Sequence, residues 1–286
     1  MALIMSPHPE EAPKEPSRRA HGIDPATLTD AACAILTTSE PAEKIALSHR
    51  VAASWRAGEL RALGGTRPPD RPARPAKPEL KLPRDMKRRR GGGSDANRIA
   101  LLHAIAHIEL NAIDLAWDLI ARFAAPDLPR DFFDEWVGVA DEEAAHHALV
   151  VKRLRELGAA YGDLPAHDGL WEAAQATAHD LLARLAVVPL VLEARGLDVT
   201  PDMIERLQRF GDGTSAGVLQ VIYDEEIGHV ATGRRWFQWE CARRGLEPVA
   251  AYRDLVQRHY GGALKPPFNY AARDAAGFGA AFYEGM

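Results

Sequence analysis

Two Glu-x-x-His motifs are the part of the sequence whose residue types and spacing could do chemistry. They lie 83 residues apart and share two preceding acidic positions, reading Asp141-Glu142-Glu143-x-x-His146 and Asp224-Glu225-Glu226-x-x-His229. At about 100° of turn per residue, three residues bring the imidazole back beside the carboxylate on one helix face. Carboxylate and imidazole groups held in this way are ligands for several divalent metal ions. The motifs therefore predict a metal site.

Two further glutamates stand where an amphipathic helix would carry an apolar residue. Glu109 precedes Glu143 by 34 residues and Glu193 precedes Glu226 by 33, so each half of this region repeats one pattern. Residues three, four and seven positions from the four glutamates are mostly apolar, which predicts that all four carboxylates face a core. A buried carboxylate is unfavourable unless it is paired with a cation or protonated.

Four core glutamates and two histidines on four helices are the ligand set of a dinuclear iron or manganese site in a four-helix bundle. Two divalent cations would balance the four carboxylates. Glu143 and Glu226 are the expected bridging carboxylates, and a hydrogen-bonded polar core without metal is the alternative. The predicted ligands are Glu109, Glu143, His146, Glu193, Glu226 and His229.

Residues beside the predicted ligands have two interpretations each. Asp141 and Asp224 either accept hydrogen bonds from the ligand imidazoles or are solvated acids. Tyr223 lies one turn before the glutamate of the second motif and is either a redox-active phenol or a core residue. It is the one candidate catalytic residue beyond the ligands. Pro189 removes a helical hydrogen bond one turn before Glu193, which predicts a kink or opening there.

The neighbouring histidines are not expected to be ligands. His107 lies about 200° around its helix from Glu109. We therefore expect His107 and His103, four residues before it, at the surface or behind the ligands. His147 adjoins His146 and is expected to face away from the site.

The elements that must hold these residues are helices, because no segment shows sustained period-two alternation. The sequence predicts an all-α protein with long helices over about 94–122, 131–157, 170–195 and 215–244, and a short helix starting at Thr200. The link over about 159–169 reaches at most about 33–36 Å. This length is just enough for the second and third long helices to run parallel.

The flanking segments differ from this body in composition and charge. We predict a disordered tail over 1–22, a small helical extension over 23–60, a basic Pro/Gly-rich strap or linker over 61–94, a bundle over 95–245 and an irregular segment over 246–286 packing on the bundle. Residues 61–98 carry twelve basic and four acidic residues, hence +8, against −13 for the rest of the chain. This stretch is a clamp on the acidic body, a flexible linker, or a contact for RNA or a nucleotide.

The amino-acid composition indicates a globular protein and argues against a membrane protein or a disulfide-rich one. Hydrophobic residues make up 47% and charged residues 26%, as in ordinary globular proteins. No apolar run approaches the roughly 20 residues of a membrane-spanning helix, so no membrane contact is expected. Two cysteines, Cys33 and Cys241, cannot form a disulfide framework. A cytoplasmic location is predicted.

Four longer sequence segments indicate a particular family. They are His103-Ala-Ile-Ala-His107-Ile-Glu109-Leu, Leu192-Glu193-Ala-Arg195-Gly196-Leu-Asp198-Val-Thr200-Pro201, Asp224-Glu225-Glu226-Ile-Gly-His229-Val and Lys265-Pro266-Pro267-Phe268-Asn269. From about residue 24 to its end the chain resembles the uncharacterised bacterial ferritin-like family called domain-of-unknown-function family 455. Residues 95–245 resemble a ferritin-like diiron-carboxylate domain, with a more distant likeness to the tRNA-modifying diiron hydroxylases. The resemblance implies a ferritin-like four-helix bundle and two iron ions, with manganese or a mixed pair as the alternative. It implies no substrate.

These observations lead to three functional hypotheses. The first is an oxidoreductase that activates dioxygen or peroxide to oxidise or hydroxylate a small molecule, or RNA or a nucleotide bound through 61–98, with electrons from a separate reductase. The second is an iron-binding ferroxidase. The third is a non-catalytic interaction module whose fold is stabilised by bound metal. A pocket leading from the metal site to the surface would favour the first.

Overall fold

The computed structural model describes residues 25–86 and 93–286, and the regular structure of these residues is helical apart from one β-bridge between Leu80 and Ala166. The all-α prediction is confirmed. The predicted tail and the basic run Lys87 to Arg90 lie outside the described residues. The helices are α1 (Leu28–Thr37), α2 (Pro41–Arg56), α3 (Asp95–Phe123), α4 (Arg130–Glu156), α5 (Gly169–Ala176), α6 (Leu181–Val187), α7 (Ala194–Arg209), α8 (Gly213–Arg244), α9 (Pro248–His259) and α10 (Tyr270–Ala275), with a π-helical segment at Val188–Glu193.

Helix ends follow the capping signals in the sequence. The Ser94 hydroxyl accepts a hydrogen bond from the backbone N–H of Asn97 and begins α3. Pro41 occupies the first turn of α2, where its missing N–H has no helical partner to lose. Gly245 ends α8 in the left-handed region at φ 68°, which favours glycine. Each of these three helix ends therefore coincides with a local signal in the sequence.

The third long helix differs from the prediction. The chain breaks over 177–180, and the Asp180 side chain caps α6 by accepting from the N–H of Leu182 at 3.1 Å. No separate helix starts at Thr200, because α7 runs through Pro201. Proline has no N–H, so it cannot bond the carbonyl of Leu197 four residues earlier. The Asn269 side chain supplies that donor instead, at 3.1 Å.

Contacts between helix ends give the direction of each long helix. Arg184, in α6, donates to Asp118 near the end of α3 at 2.6 Å. Arg153, near the end of α4, donates at 3.0 Å to Asp212, which follows α7 and precedes α8. The segment from α6 to α7 therefore begins beside the end of α3 and finishes beside the end of α4. It runs parallel to α4, the arrangement that the linking segment's length allows.

The link between α4 and α5 passes along α3. The backbone N–H of Gly162 donates to His103 Nε2 at 2.9 Å, and His107 Nε2 donates to the carbonyl of His167 at 3.1 Å. The link thus follows α3 in the direction of its chain. It takes the chain back to the end of the molecule where α4 began, so the second pair of helices can start there.

Described residues of the basic strap lie on the helices. The Ala73 N–H donates to the Leu36 carbonyl at 2.7 Å, and the Trp171 indole donates to the Asp70 carbonyl at 3.1 Å. Arg74 pairs with the fully buried Asp114 of α3. Over these residues the strap contacts the helices through backbone hydrogen bonds and one buried ion pair.

Helix α3 is the one described helix that is long and apolar enough to cross a membrane, with a mean hydropathy of 1.4 over its most apolar window. Within the protein, 72% of that window is buried. The buried helix also carries Asp114 and Asp118, both ion-paired. Core helices pass the same length-and-composition test, so this feature is weak support for a membrane segment.

We expect Arg74→Ala to lower the free energy of unfolding by about 2 kcal/mol, because buried Asp114 then loses a charged donor. Arg71 of the same strap provides the control, since it is 52% exposed and its pair with Asp168 should contribute less than about 1 kcal/mol. Chemical denaturation of both variants measures the difference. Equal effects would contradict a clamp anchored at Asp114.

Candidate metal centre

The six residues predicted as ligands, named here the Glu/His cluster, meet inside the helices. Ligand atoms of Glu109, Glu143, His146 and Glu226 all lie within 4.8 Å of one another. His229 joins them, with its Nδ1 atom 3.1 Å from Glu143 Oε1. The sixth member, Glu193, ends the π-helical segment and is close enough for the charges of Glu226, Glu143 and Glu109 to shift its pKa.

Glu143 lies between the two histidines. Its Oε2 atom is 3.4 Å from His146 Nδ1, and its Oε1 atom is 3.1 Å from His229 Nδ1. Each histidine also faces one further carboxylate, since His146 Nδ1 is 3.4 Å from Glu109 Oε2 and His229 Nδ1 is 3.7 Å from Glu226 Oε2. The cluster is therefore organised as two similar halves that share Glu143.

Many polar atoms of the cluster are buried without a hydrogen-bond partner. Among the described residues, twelve buried side-chain nitrogen and oxygen atoms lack one, and seven of the twelve belong to the cluster. They are Glu109 Oε2, Glu143 Oε1 and Oε2, His146 Nδ1, Glu193 Oε2, Glu226 Oε2 and His229 Nδ1. Buried polar atoms are normally paired, so this concentration needs a partner of another kind. Carboxylate oxygens and imidazole nitrogens around one volume fit divalent metal ions.

Burial and the charges of neighbouring residues shift the pKa values of the cluster residues. Burial raises the pKa of Glu109 to about 8, and burial with repulsion from Glu226 raises the pKa of Glu193 well above its ordinary value. Burial opposes a charge on His146, yet the nearby carboxylates of Glu109 and Glu143 raise its pKa to about 11. Glu109, Glu193 and His146 thus hold protons when no other cation is present.

A second pair of glutamates orients the two imidazoles. His146 Nε2 lies 2.6 Å from Glu225 Oε2, and His229 Nε2 lies 2.7 Å from Glu142 Oε2. Each histidine of one helix therefore bonds the acid that precedes the cluster glutamate of the other helix. The carboxylate oxygen accepts, so Nε2 donates, and Nδ1 is the nitrogen that can bind a metal ion after it has lost its own proton.

Asp141 and Asp224 do not have the orienting role considered for them. Asp141 Oδ1 is 2.5 Å from His49 Nδ1, and Asp141 also pairs with Arg56. Asp224 accepts from the side chain of Gln220 at 2.8 Å. The orienting acids are one residue later in each motif. Spacing along one helix did not identify them because the bond is made between helices.

Where Pro189 predicted a kink or opening, the chain forms the π-helical segment Val188–Glu193. Segments of this kind often occur at functional sites. The carbonyl of Leu190 accepts from the Tyr252 hydroxyl at 3.0 Å. On the facing helix, a Cβ atom at Gly233 would lie 2.3 Å from Pro189 Cβ, so only glycine allows this approach.

His103, His107 and His147 surround the ring of Tyr161, outside the cluster. Ring centroids lie 5.4 Å apart for His103 and Tyr161 and 5.3 Å for His147 and Tyr161, and the Tyr161 hydroxyl donates to His107 Nδ1 at 2.9 Å. All three histidines are buried, so a surface position was wrong for His103 and His107.

Tyr223 is half-buried, and its hydroxyl accepts from the Asn269 side chain at 2.9 Å. This contact links α8 to the segment that precedes α10. A redox role for Tyr223 stays a prediction.

We expect Glu225→Gln to weaken metal binding by about 10–100-fold, because the amide no longer holds His146 in one tautomer. Asp224→Asn is the matched control, since Asp224 is the preceding residue and contacts neither histidine. Titration with Mn²⁺ measures both affinities, and equal loss in the two variants would contradict the orienting role.

Gly233→Ala should lower the free energy of unfolding by about 1–3 kcal/mol and weaken metal binding, because Pro189 and the segment that carries Glu193 must move. Gly228→Ala, on the same helix with nothing within 4 Å of its added Cβ, should be neutral or stabilising by about 1 kcal/mol. Thermal unfolding and metal titration test both. A metal affinity of Gly233→Ala equal to that of Gly228→Ala would show that this contact does not position Glu193.

Metal-free protein should lose stability as pH rises from about 5 to 8. Groups whose folded pKa is raised, among them Glu109 and Glu193, stabilise the fold below their unfolded pKa of about 4.3 and lose that contribution as pH rises through the folded value. Glu143, whose pKa is held low by His229 and His146 despite burial, acts oppositely but only at more acid pH.

Metal requires deprotonated ligands, so its stabilisation grows with pH and reaches about 4 kcal/mol at a thousandfold excess over Kd. The melting temperatures of loaded and metal-free protein should therefore separate as pH rises. Calorimetry checks this, and coincident melting at pH 8 would refute a buried metal cluster.

Comparison with known proteins assigns the chain to a family. A model described as "Protein of unknown function (DUF455)" matches residues 37–284, a range that includes the whole Glu/His cluster. An uncharacterized protein of Haemophilus influenzae is 43% identical over 209 residues, which cover 71% of this chain and 72% of that protein. No solved structure matches the chain. The chain therefore belongs to the DUF455 family of proteins of unknown function, the family that its sequence strings resemble.

Proposed function

We propose that this protein is a ferritin-like dimetal-carboxylate oxidoreductase that binds two iron ions in the Glu/His cluster and oxidises or hydroxylates an organic substrate with dioxygen or peroxide. The observation that carries the proposal is the set of seven unpartnered buried atoms on six residues from four helical segments. Manganese or a mixed iron–manganese pair is the alternative metal content, because the same ligands accept both.

The helix arrangement supports the ferritin-like assignment. Ferritin-like bundles join two antiparallel helix pairs by one long crossing connection and place Glu and Glu-x-x-His ligands on the inner faces. Here α3 and α4 form one pair, and the segment α6 to α7 with α8 forms the other. The connection along α3 joins them.

The two halves of the cluster suggest how two ions would be held. Glu109 and His146 would bind one ion and His229 and Glu193 the other, with Glu143 and Glu226 as the carboxylates shared between them. Two bound iron ions would supply electrons for the reduction of dioxygen or peroxide. Glu142 and Glu225 would keep both imidazoles in the ligating tautomer. Four carboxylates would match four positive charges, so the loaded core would be near neutral.

Side chains around the cluster would exclude water. Leu110, Ile113, Val139, Ala140 and Leu190 are each at most 5% exposed and lie on the same helical segments as the ligands. In the metal-free protein Glu109 holds a proton up to about pH 8. Metal binding would release that proton from Glu109.

A small molecule is the favoured substrate. Arg71 and Arg74, in the described part of the basic strap, pair with Asp168 and Asp114 of the body, which leaves less positive charge for RNA or a nucleotide. A cavity of about 240 Å³ adjoins Leu190 and Val191 of the π-helical segment. The cavity lies beside the segment that ends at Glu193, and a substrate bound there would favour an enzyme over a metal site with a structural role only. With two cysteines in the chain, electrons would come from a separate reductase, in the cytoplasm.

The test is anaerobic Fe²⁺ loading followed by exposure to dioxygen. We expect two iron ions per chain, weaker binding in His146→Ala and His229→Ala, and unchanged binding in the control His179→Ala, whose histidine is exposed. Optical spectra should change once with dioxygen and be restored by reductant. Iron uptake far beyond two ions would favour the ferroxidase, and no more than one bound ion would overturn the proposal.

A further inference from the structure

A cavity lies between the π-helical segment and the chain over 260–268. Its volume is about 240 Å³. Leu190, Val191, Leu264 and Phe268 give it apolar walls. This volume equals that of about eight water molecules, which suits a ligand of roughly ten non-hydrogen atoms.

The charged side chains of the cavity do not balance one another. Arg195, Lys265 and Arg273 bring three positive charges, and Asp198 brings the one negative charge among the lining residues. Asp198 is already fully engaged, because it accepts from Arg273 Nε at 2.8 Å, from Arg273 Nη2 at 2.7 Å and from the N–H of Asn269 at 2.9 Å. The lining side chains therefore carry a net charge of +2. Arg195 is held in place by the carbonyls of Lys265 at 2.7 Å and Pro267 at 3.0 Å, and it also lies 3.4 Å from Asp198 Oδ2.

Arg273 is the strongest indication that this ligand is an anion. Its side chain is 4% exposed, and its Nη1 atom is buried without a hydrogen-bond partner. The guanidinium carbon lies 4.3 Å from the ring centroid of Tyr283 and 5.2 Å from that of Phe268. These rings and the Asp198 bonds fix the guanidinium before any ligand arrives, which reduces the entropy lost on binding.

We infer that this cavity binds a small organic anion, with a carboxylate or phosphate head among Arg273, Arg195 and Lys265 and an apolar body against Leu190 and Val191. Arginine pairs well with both head groups because its donors match two oxygens at once. The role of this anion as the substrate rests on the dimetal function proposed above. Its binding to the cavity does not.

The cavity and the Glu/His cluster share structural elements. Leu190 and Val191 belong to the segment that ends at Glu193. On the other side, Asn269 follows Phe268 and donates to the hydroxyl of Tyr223, in the helix of the second motif. A ligand against these walls therefore contacts the segment that carries Glu193. Anion and metal affinities should be coupled, and the coupling should be equal in both directions.

The test measures binding of benzoate and phenyl phosphate to the full chain by titration calorimetry, without metal and with Mn²⁺ bound. Benzyl alcohol is the neutral comparison. We expect at least one of the two anions to bind and benzyl alcohol not to, with an anion affinity that changes when Mn²⁺ is present. The anion that binds identifies the head group. Binding of neither anion would overturn the inference.

Two variants, each chosen at a residue that lines the cavity, test whether the anion binds there. Lys265→Glu should weaken anion binding at least tenfold, whereas Lys152→Glu, an equal charge change at an exposed lysine of α4, should change it less than twofold. Leu264→Trp should fill the cavity from the loop side and abolish anion binding while Mn²⁺ stoichiometry stays at that of the parent. Undiminished anion binding in Leu264→Trp, or equal effects of the two lysine changes, would overturn the inference.

The two proposals fail separately. A chain that binds an anion in the cavity but no metal would refute the dimetal function and leave the cavity assignment standing. Two bound metal ions without anion binding would do the reverse.

Discussion

Electrostatic repulsion among four buried carboxylates is the constraint on which the rest of the structure depends. Two unit charges 4 Å apart repel by about 4 kcal/mol at an effective dielectric constant of 20, and the cluster contains several such pairs. Protons relieve part of this repulsion, as the raised pKa of Glu109 indicates. The fold nevertheless holds the carboxylates together, with Pro189 packed on Gly233 and the two imidazoles tied to Glu142 and Glu225.

The other buried acids of α3 make the contrast clear. Asp114 is fully buried and pairs with the buried Lys44, and Asp118 is fully buried and accepts from Arg184 at 2.6 Å. Both acids are thus neutralised by cations of the protein itself. Glu109, five residues before Asp114 on the same helix, has no lysine or arginine within ion-pair distance among the described residues. The protein has buried cations elsewhere along this helix, so the unpartnered carboxylates of the cluster point to a cation from outside.

The sequence predicted the parts of this site that depend on the period of a single helix. Glu109 and Glu193 were found because a charge on an apolar stripe is visible in the pattern, and the motif spacing located both histidines. The capping residues Ser94 and Gly245 act within one turn, so their roles are also visible locally. Asp180 is a local capping signal for the start of α6. The apolar pattern continues across the break, however, and predicts one unbroken helix.

Features that depend on how helices pack could not be predicted. Glu142 and Glu225 orient histidines of the opposite helix, and the choice between them and the neighbouring aspartates depends on the register of α4 against α8. Asn269 replaces the hydrogen bond that Pro201 removes, across more than seventy residues of chain. The cavity beside Leu190 exists because the segment after α9 returns to the π-helical segment. No residue pattern within either segment indicates that contact.

The central claim is that the Glu/His cluster holds two metal ions, and anomalous diffraction from crystals of Mn²⁺- or iron-loaded protein tests it most directly. The account predicts two anomalous peaks about 3.5–4 Å apart. Glu143 should lie between them, with His146 Nδ1 and His229 Nδ1 each directed at one peak. A loaded crystal with one peak, or with peaks outside these six residues, would contradict it.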